Sequence, residues 1–172
     1  MRKLLCLLLA ALLLFAGCAK PAPGTETGTE AGTEAAPMVS LYELRKAMLA
    51  AQPELPDMTA VSSSDENAGE LFAYLSELDY EKVEGYFLAY ASDGRTANEF
   101  AVVCLKDPAD LTALEASLKA HVQGRVNLYK TYAPELVQQA SEAEIVSEGR
   151  YAALIMCEDR AAVKEAFLAG VR

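Results

Sequence analysis

Two short runs constrain the fold of this chain more than anything else in it. Phe100-Ala101-Val102-Val103-Cys104-Leu105 and Tyr151-Ala152-Ala153-Leu154-Ile155-Met156-Cys157 are apolar or aromatic at every position. Each is too short for a buried helix, and Val, Ile and the aromatics favour a strand. Side chains along a strand alternate between two faces, so a run that is apolar throughout leaves neither face suited to water. The sheet that contains these runs must therefore be covered on both sides. The N-terminal helices are the obvious cover for the second face, and a partner protein is the other candidate.

The remaining elements follow from caps, turns and periodicity. Ser40-Leu41-Tyr42-Glu43 is a capping box that opens a helix to about Ala51, with Leu41, Leu44 and Met48 on one face. Pro53 and Pro56 end it, and Ser62-Ser63-Ser64-Asp65 is read as loop. Glu66 to Leu78 is expected to be a second helix with Leu71, Leu75 and Leu78 aligned. Strands over Val83–Ala91 and Glu99–Lys106 flank a turn at Asp93-Gly94. Asp107-Pro108 then starts a long helix whose stripe is Leu111, Leu114, Leu118, Val122, Val126 and Tyr129, with Pro134 as its stop. A second unit of the same order follows: strand Glu144–Ser147, turn Glu148-Gly149, strand Arg150–Cys157, and a helix capped by Asp159 with Val163, Ala166 and Phe167 inward.

The expected architecture is α+β. Two N-terminal helices precede two ββα units, and a four-stranded antiparallel sheet is packed by helices, the two later ones on one face. A shift of 52 residues lays Leu105-Lys106-Asp107 on Cys157-Glu158-Asp159 and Leu111 on Val163, a weak internal similarity. In that register Cys104 corresponds to Met156, so Cys104 and Cys157 are expected on opposite faces. They are read as core packing residues, with a disulfide as the lesser alternative.

The first residues have the three parts of a secretion signal. Arg2 and Lys3 form the positive end, and Leu4 to Phe15 is an uncharged run of twelve residues, short of the roughly 20 that a spanning helix requires. Ala16 and Gly17 lead into Cys18, and Leu14-Phe15-Ala16-Gly17-Cys18 resembles the bacterial lipobox, with Phe15 where Leu is commoner. Cleavage before Cys18 and acylation of its thiol would give a lipid anchor without a protein span. Ala19 to Pro37 repeats Gly-Thr-Glu three times and holds no large apolar residue, the composition of a polar tether. The expected organisation is thus a removed signal peptide at 1–17, a lipidated Cys18 and tether at 18–37, and one α+β domain at 38–172.

Charge and motif content narrow the function classes. Loss of Arg2 and Lys3 would leave the mature chain two units more negative than the −10 of the whole sequence. Such a surface repels phosphate backbones, so no nucleic-acid partner is expected. Glycine-rich phosphate loops and serine-hydrolase motifs are missing, and no metal or cofactor is expected. His121 is mid-helix beside the apolar stripe and is read as a boundary residue. Loop carboxylates Asp57, Asp65, Glu66 and Asp93 are the only material for a hydrolase. Tyr86 and Tyr90 share one face of their strand, and Tyr151 lies on a neighbouring one. These three form the candidate partner-binding face, with core packing as the plainer alternative.

Tyr132-Ala133-Pro134-Glu135, Ala143-Glu144-Ile145 and Gly149-Arg150-Tyr151-Ala152-Ala153-Leu154-Ile155 form an ordered set of short motifs. Glu99-Phe100-Ala101-Val102-Val103 before Lys106-Asp107 belongs with them. The set resembles the bacterial lipoprotein family called domain of unknown function 4358, over roughly Leu41 to Leu168. The resemblance implies a lipobox, a polar tether and this domain extent. The family carries no established activity, so it implies no catalytic residue. The expected protein is a non-enzymatic lipoprotein, membrane-bound through lipid on Cys18. It would lie on the extracytoplasmic face of the cell membrane, with a binding or accessory role toward a protein or envelope partner. A small envelope hydrolase and a transporter's solute-binding component are the alternatives, although the latter needs two lobes.

Overall fold

The computed structural model describes residues 38–172. The predicted signal peptide, the lipidation site Cys18 and the tether lie outside the described residues. Five strands form one antiparallel sheet: β1 (Met58–Ser62), β2 (Val83–Ala91), β3 (Glu99–Leu105), β4 (Glu144–Glu148) and β5 (Tyr151–Met156). Their spatial order is β1-β2-β3-β5-β4, which puts β3 and β5, the strands that carry the two apolar runs, side by side inside the sheet. Among the described residues five α-helices accompany them: α1 (Leu41–Ala50), α2 (Ala68–Phe72), α3 (Leu111–Tyr132), α4 (Val137–Ser141) and α5 (Arg160–Val171).

Local chemistry sets the boundaries. The Ser40 hydroxyl accepts from the Glu43 amide at the start of α1. Asp107 accepts from Ala109 ahead of Pro108, and Asp159 accepts from Ala162 at the start of α5. Gly149 turns the β4–β5 hairpin at φ 58°, a left-handed conformation that costs a glycine little.

Both faces of the sheet carry a core. On one, Tyr86, Leu88, Val103, Leu105 and Leu154 pack under α2 and α3 through Phe72, Leu114 and Leu118. On the other, Phe87, Phe100, Val102 and Ile155 pack under α1 and α5 through Leu44, Met48, Val163 and Phe167. The cover that the apolar strands require comes from the chain itself.

Several expectations are corrected. The sheet has five strands, not four, because Met58–Ser62 pairs with β2 from Met58 opposite Ala91 to Ser62 opposite Phe87. The second helix is five residues long and does not reach Leu78. Beyond Phe72 the chain continues in turns as far as Ser76, whose amide still bonds to the Phe72 carbonyl at 3.0 Å, and serine side chains then supply the acceptors: Ser117 Oγ takes the Glu77 amide at 2.8 Å and Ser76 Oγ takes the Leu78 amide at 3.1 Å. The two later helices lie on opposite faces, not one. The chain leaving β3 makes a 3₁₀ turn over Pro108–Asp110 before α3, whereas Asp159 caps α5 directly after β5.

The 52-residue equivalence fails for the same reason, since Leu105 and Cys157 face opposite cores. Cys104 and Cys157 therefore share a face, contrary to expectation, and both are free thiols. What separates them is distance along the strand. Cys104 lies opposite Tyr151 at the start of β5 and Cys157 follows its last residue. Six positions at ~3.3 Å per residue are about 20 Å, against the roughly 4.4–6.8 Å between disulfide-linked Cα atoms.

Candidate functional site

One charged group is built into the core. Glu99 opens β3 on the side of Ala101 and Val103, facing α3, and only 2 % of its side chain is exposed. His121 and Arg125 stand one helical turn apart on α3, in phase with Leu114 and Leu118. His121 Nε2 lies 2.5 Å from Glu99 Oε1. Arg125 closes on the other oxygen with Nε at 2.8 Å and Nη2 at 2.7 Å. Burial by itself pushes the Glu99 carboxyl up. The hydrogen bond and charge of His121, joined by Arg125, outweigh that push and hold it below the usual carboxylate range. An ionised carboxylate only accepts, so His121 donates from Nε2. The trio clasps β3 to α3 with both carboxylate oxygens occupied.

Beside this clasp the surface opens. Asn98, the residue before Glu99, lines a cleft of about 850 Å³ formed by the turn after α1, the β2–β3 loop, α4 and the start of α5. Gln139 fixes the floor: its Oε1 accepts from the Ala97 amide at 3.1 Å and its Nε2 donates to Asn98 Oδ1 at 2.8 Å. Gln52 ties the α1 turn to α5 by accepting from the Asp159 amide at 2.9 Å. Thr96 Oγ1 is buried in this wall without a hydrogen-bond partner among the described residues. Cys157 also borders the cleft, but its thiol is buried and pushed up to about 12 by loss of hydration, so it is no nucleophile at neutral pH.

The residues singled out from sequence are dispersed. Tyr86 and Tyr90 face the α3 side, whereas Tyr151 belongs to the opposite core. Tyr86 is fully buried, donates to the Ala68 carbonyl at 2.7 Å and packs edge-on against Phe72 and Tyr80. Tyr151 is buried too, and its hydroxyl accepts from the Val39 amide at 3.0 Å. The three tyrosines do not form one face, and two of them are core residues. Asp65 accepts from the Ser62 amide and Asp93 from the Arg95 amide, each within its own turn and at opposite ends of β2. His121 is mostly buried against Glu99.

Among the described residues, no group of three or more His, Cys, Asp or Glu could hold a metal ion, and no helix is long and apolar enough to cross a membrane.

Comparison with protein families gives one match: the model described as Domain of unknown function (DUF4358) covers residues 57–157. That span takes in all five strands with α2, α3 and α4, and leaves α1 and α5 outside. Neither a curated protein nor a solved structure matches.

Proposed function

This chain belongs to the DUF4358 family, and from that premise we propose that it is a lipid-anchored extracytoplasmic lipoprotein whose folded domain binds a protein or envelope partner without catalysing a reaction. The observation that carries the reading is the ending Leu14-Phe15-Ala16-Gly17-Cys18, placed after a positive start and a short apolar run and before a polar tether. Two or three acyl chains on Cys18, at ~0.8 kcal/mol per buried methylene, would hold the chain on the outer side of the cell membrane.

The binding role is supported by how the polar groups are used. The most deeply buried carboxylate, Glu99, has both oxygens committed to His121 and Arg125 and serves the fold. The open cleft beside it keeps polar groups in reach of solvent. The experiment is metabolic labelling with a palmitate analogue in a bacterial host. The full chain should incorporate label and migrate as the processed form, and Cys18→Ala should lose the label and accumulate as precursor. Label retained in Cys18→Ala would refute the anchoring.

A further inference from the structure

We propose that the cleft between the α1 turn, the β2–β3 loop, α4 and the start of α5 binds a short lysine- or arginine-bearing segment of a partner protein. This rests on the reading of the domain as a binding module and adds the chemistry of what it binds.

The case is an inventory of donors and acceptors around the cleft. Its donors are largely spent inside the protein. Gln52 Nε2 donates to the Pro53 carbonyl, Gln138 Nε2 to Glu142, and Gln139 Nε2 to Asn98. Arg160, the one cation among the described residues that line the cleft, donates to the Cys157 carbonyl at 2.9 Å and to Glu142 at 3.0 Å. The acceptors are not spent. Glu54, Glu135 and Glu158 line the cleft, are solvent-exposed, and have no hydrogen-bond or ion-pair partner among the described residues. Gln138 Oε1 is likewise left with acceptor capacity, because an amide oxygen takes two donors. A cavity whose unspent charged groups, among the described residues, are all carboxylates is complementary to a donor-rich cation, an ammonium or a guanidinium.

Size and shape choose the carrier of that cation. The volume, about 850 Å³, lies within the range of ligand sites and accommodates a few residues of extended chain. The Asn98 amide nitrogen keeps donor capacity beside those acceptors, and a peptide backbone offers both carbonyls and amides to such a mixed lining. A free polyamine would satisfy only the carboxylates.

The test uses the full chain in non-ionic detergent and fluorescence anisotropy of a fluorescein-labelled hexapeptide of alternating glycine and lysine. Binding should saturate and should weaken about tenfold in Glu135→Gln/Glu158→Gln. The matched variant Glu66→Gln/Glu70→Gln removes the same charge from exposed positions near α2 and should bind like the parent. Equal weakening in both double variants would reduce the interaction to the overall negative field and overturn the site. No saturable binding by the parent would overturn it as well, while palmitate labelling at Cys18 would continue to report on anchoring separately. Displacement of the peptide by spermidine at concentrations far below its own would overturn the assignment to a protein segment.

Discussion

At Glu99 the balance between hydration and pairing decides the charge state. Removal from water favours the neutral acid, and the hydrogen-bond donors His121 and Arg125, one helical turn apart, reverse that preference. The stability linkage has a definite sign. A carboxyl held below its unfolded value stabilises the fold above about pH 4.3, and the contribution is lost as pH falls through the lower folded value. Glu99→Gln should therefore cost about 2–4 kcal/mol in urea denaturation at pH 7, by leaving Arg125 without its counter-ion and weakening the acceptor for His121. At pH 3 the gap between parent and variant should shrink; a gap of constant size would mean that charge is not the cause.

The clasp was only half legible in the sequence. Leu114, Leu118, His121 and Arg125 recur at spacings of four, three and four, which puts both donors on the buried stripe. Glu99 is in phase with Ala101 and Val103 on the same face of a strand. Read separately, each is a boundary residue, and only the pairing of α3 with β3 makes them partners.

Among the elements, those with strong local signals were legible and those held by tertiary contacts were not. The limits of β2, the capped starts of α1 and α5 and the apolar stripe of α3 follow from turns, caps and periodicity, whereas Asp107 caps the 3₁₀ turn ahead of α3 and not α3 itself. β1 is Met-Thr-Ala-Val-Ser between loop-forming residues, too weak a pattern to stand alone, and it exists because β2 offers an open edge. The faces taken by α3 and α5 depend on one 3₁₀ turn that periodicity does not encode. The crossing of α1 and α5 is equally specific. A Cβ at Gly170 would come within 2.5 Å of Leu44 Cδ1, and Leu44 is buried with little room to yield. Gly170→Ala should lower stability by about 1–2 kcal/mol through this overlap. Leu44→Val combined with it should cost less than the sum of the two single changes, read from a double-mutant cycle of thermal melts. Strict additivity would mean that the helices do not meet there.

On the scale of the whole molecule, the central seam of the sheet joins strands far apart in the chain. Leu105 donates its amide to the Arg150 carbonyl at 2.9 Å across 45 residues of sequence that contain α3 and α4. The flanking pairs, β2 with β3 and β4 with β5, are by contrast local hairpins. Closing the seam costs loop entropy before it returns any contact, whereas each hairpin forms at little cost. Refolding should accordingly wait on this one long-range collision, with the seam and α3 formed in the transition state and the outer strand β4 consolidating after it. Val102→Ala, opposite Ala153 on the seam, should slow refolding in stopped-flow measurements. Val146→Ala on the outer strand β4 should leave the folding rate nearly unchanged and speed unfolding instead. The strand order thus makes the rate of folding a property of the seam, while resistance to unfolding is spread across the edges.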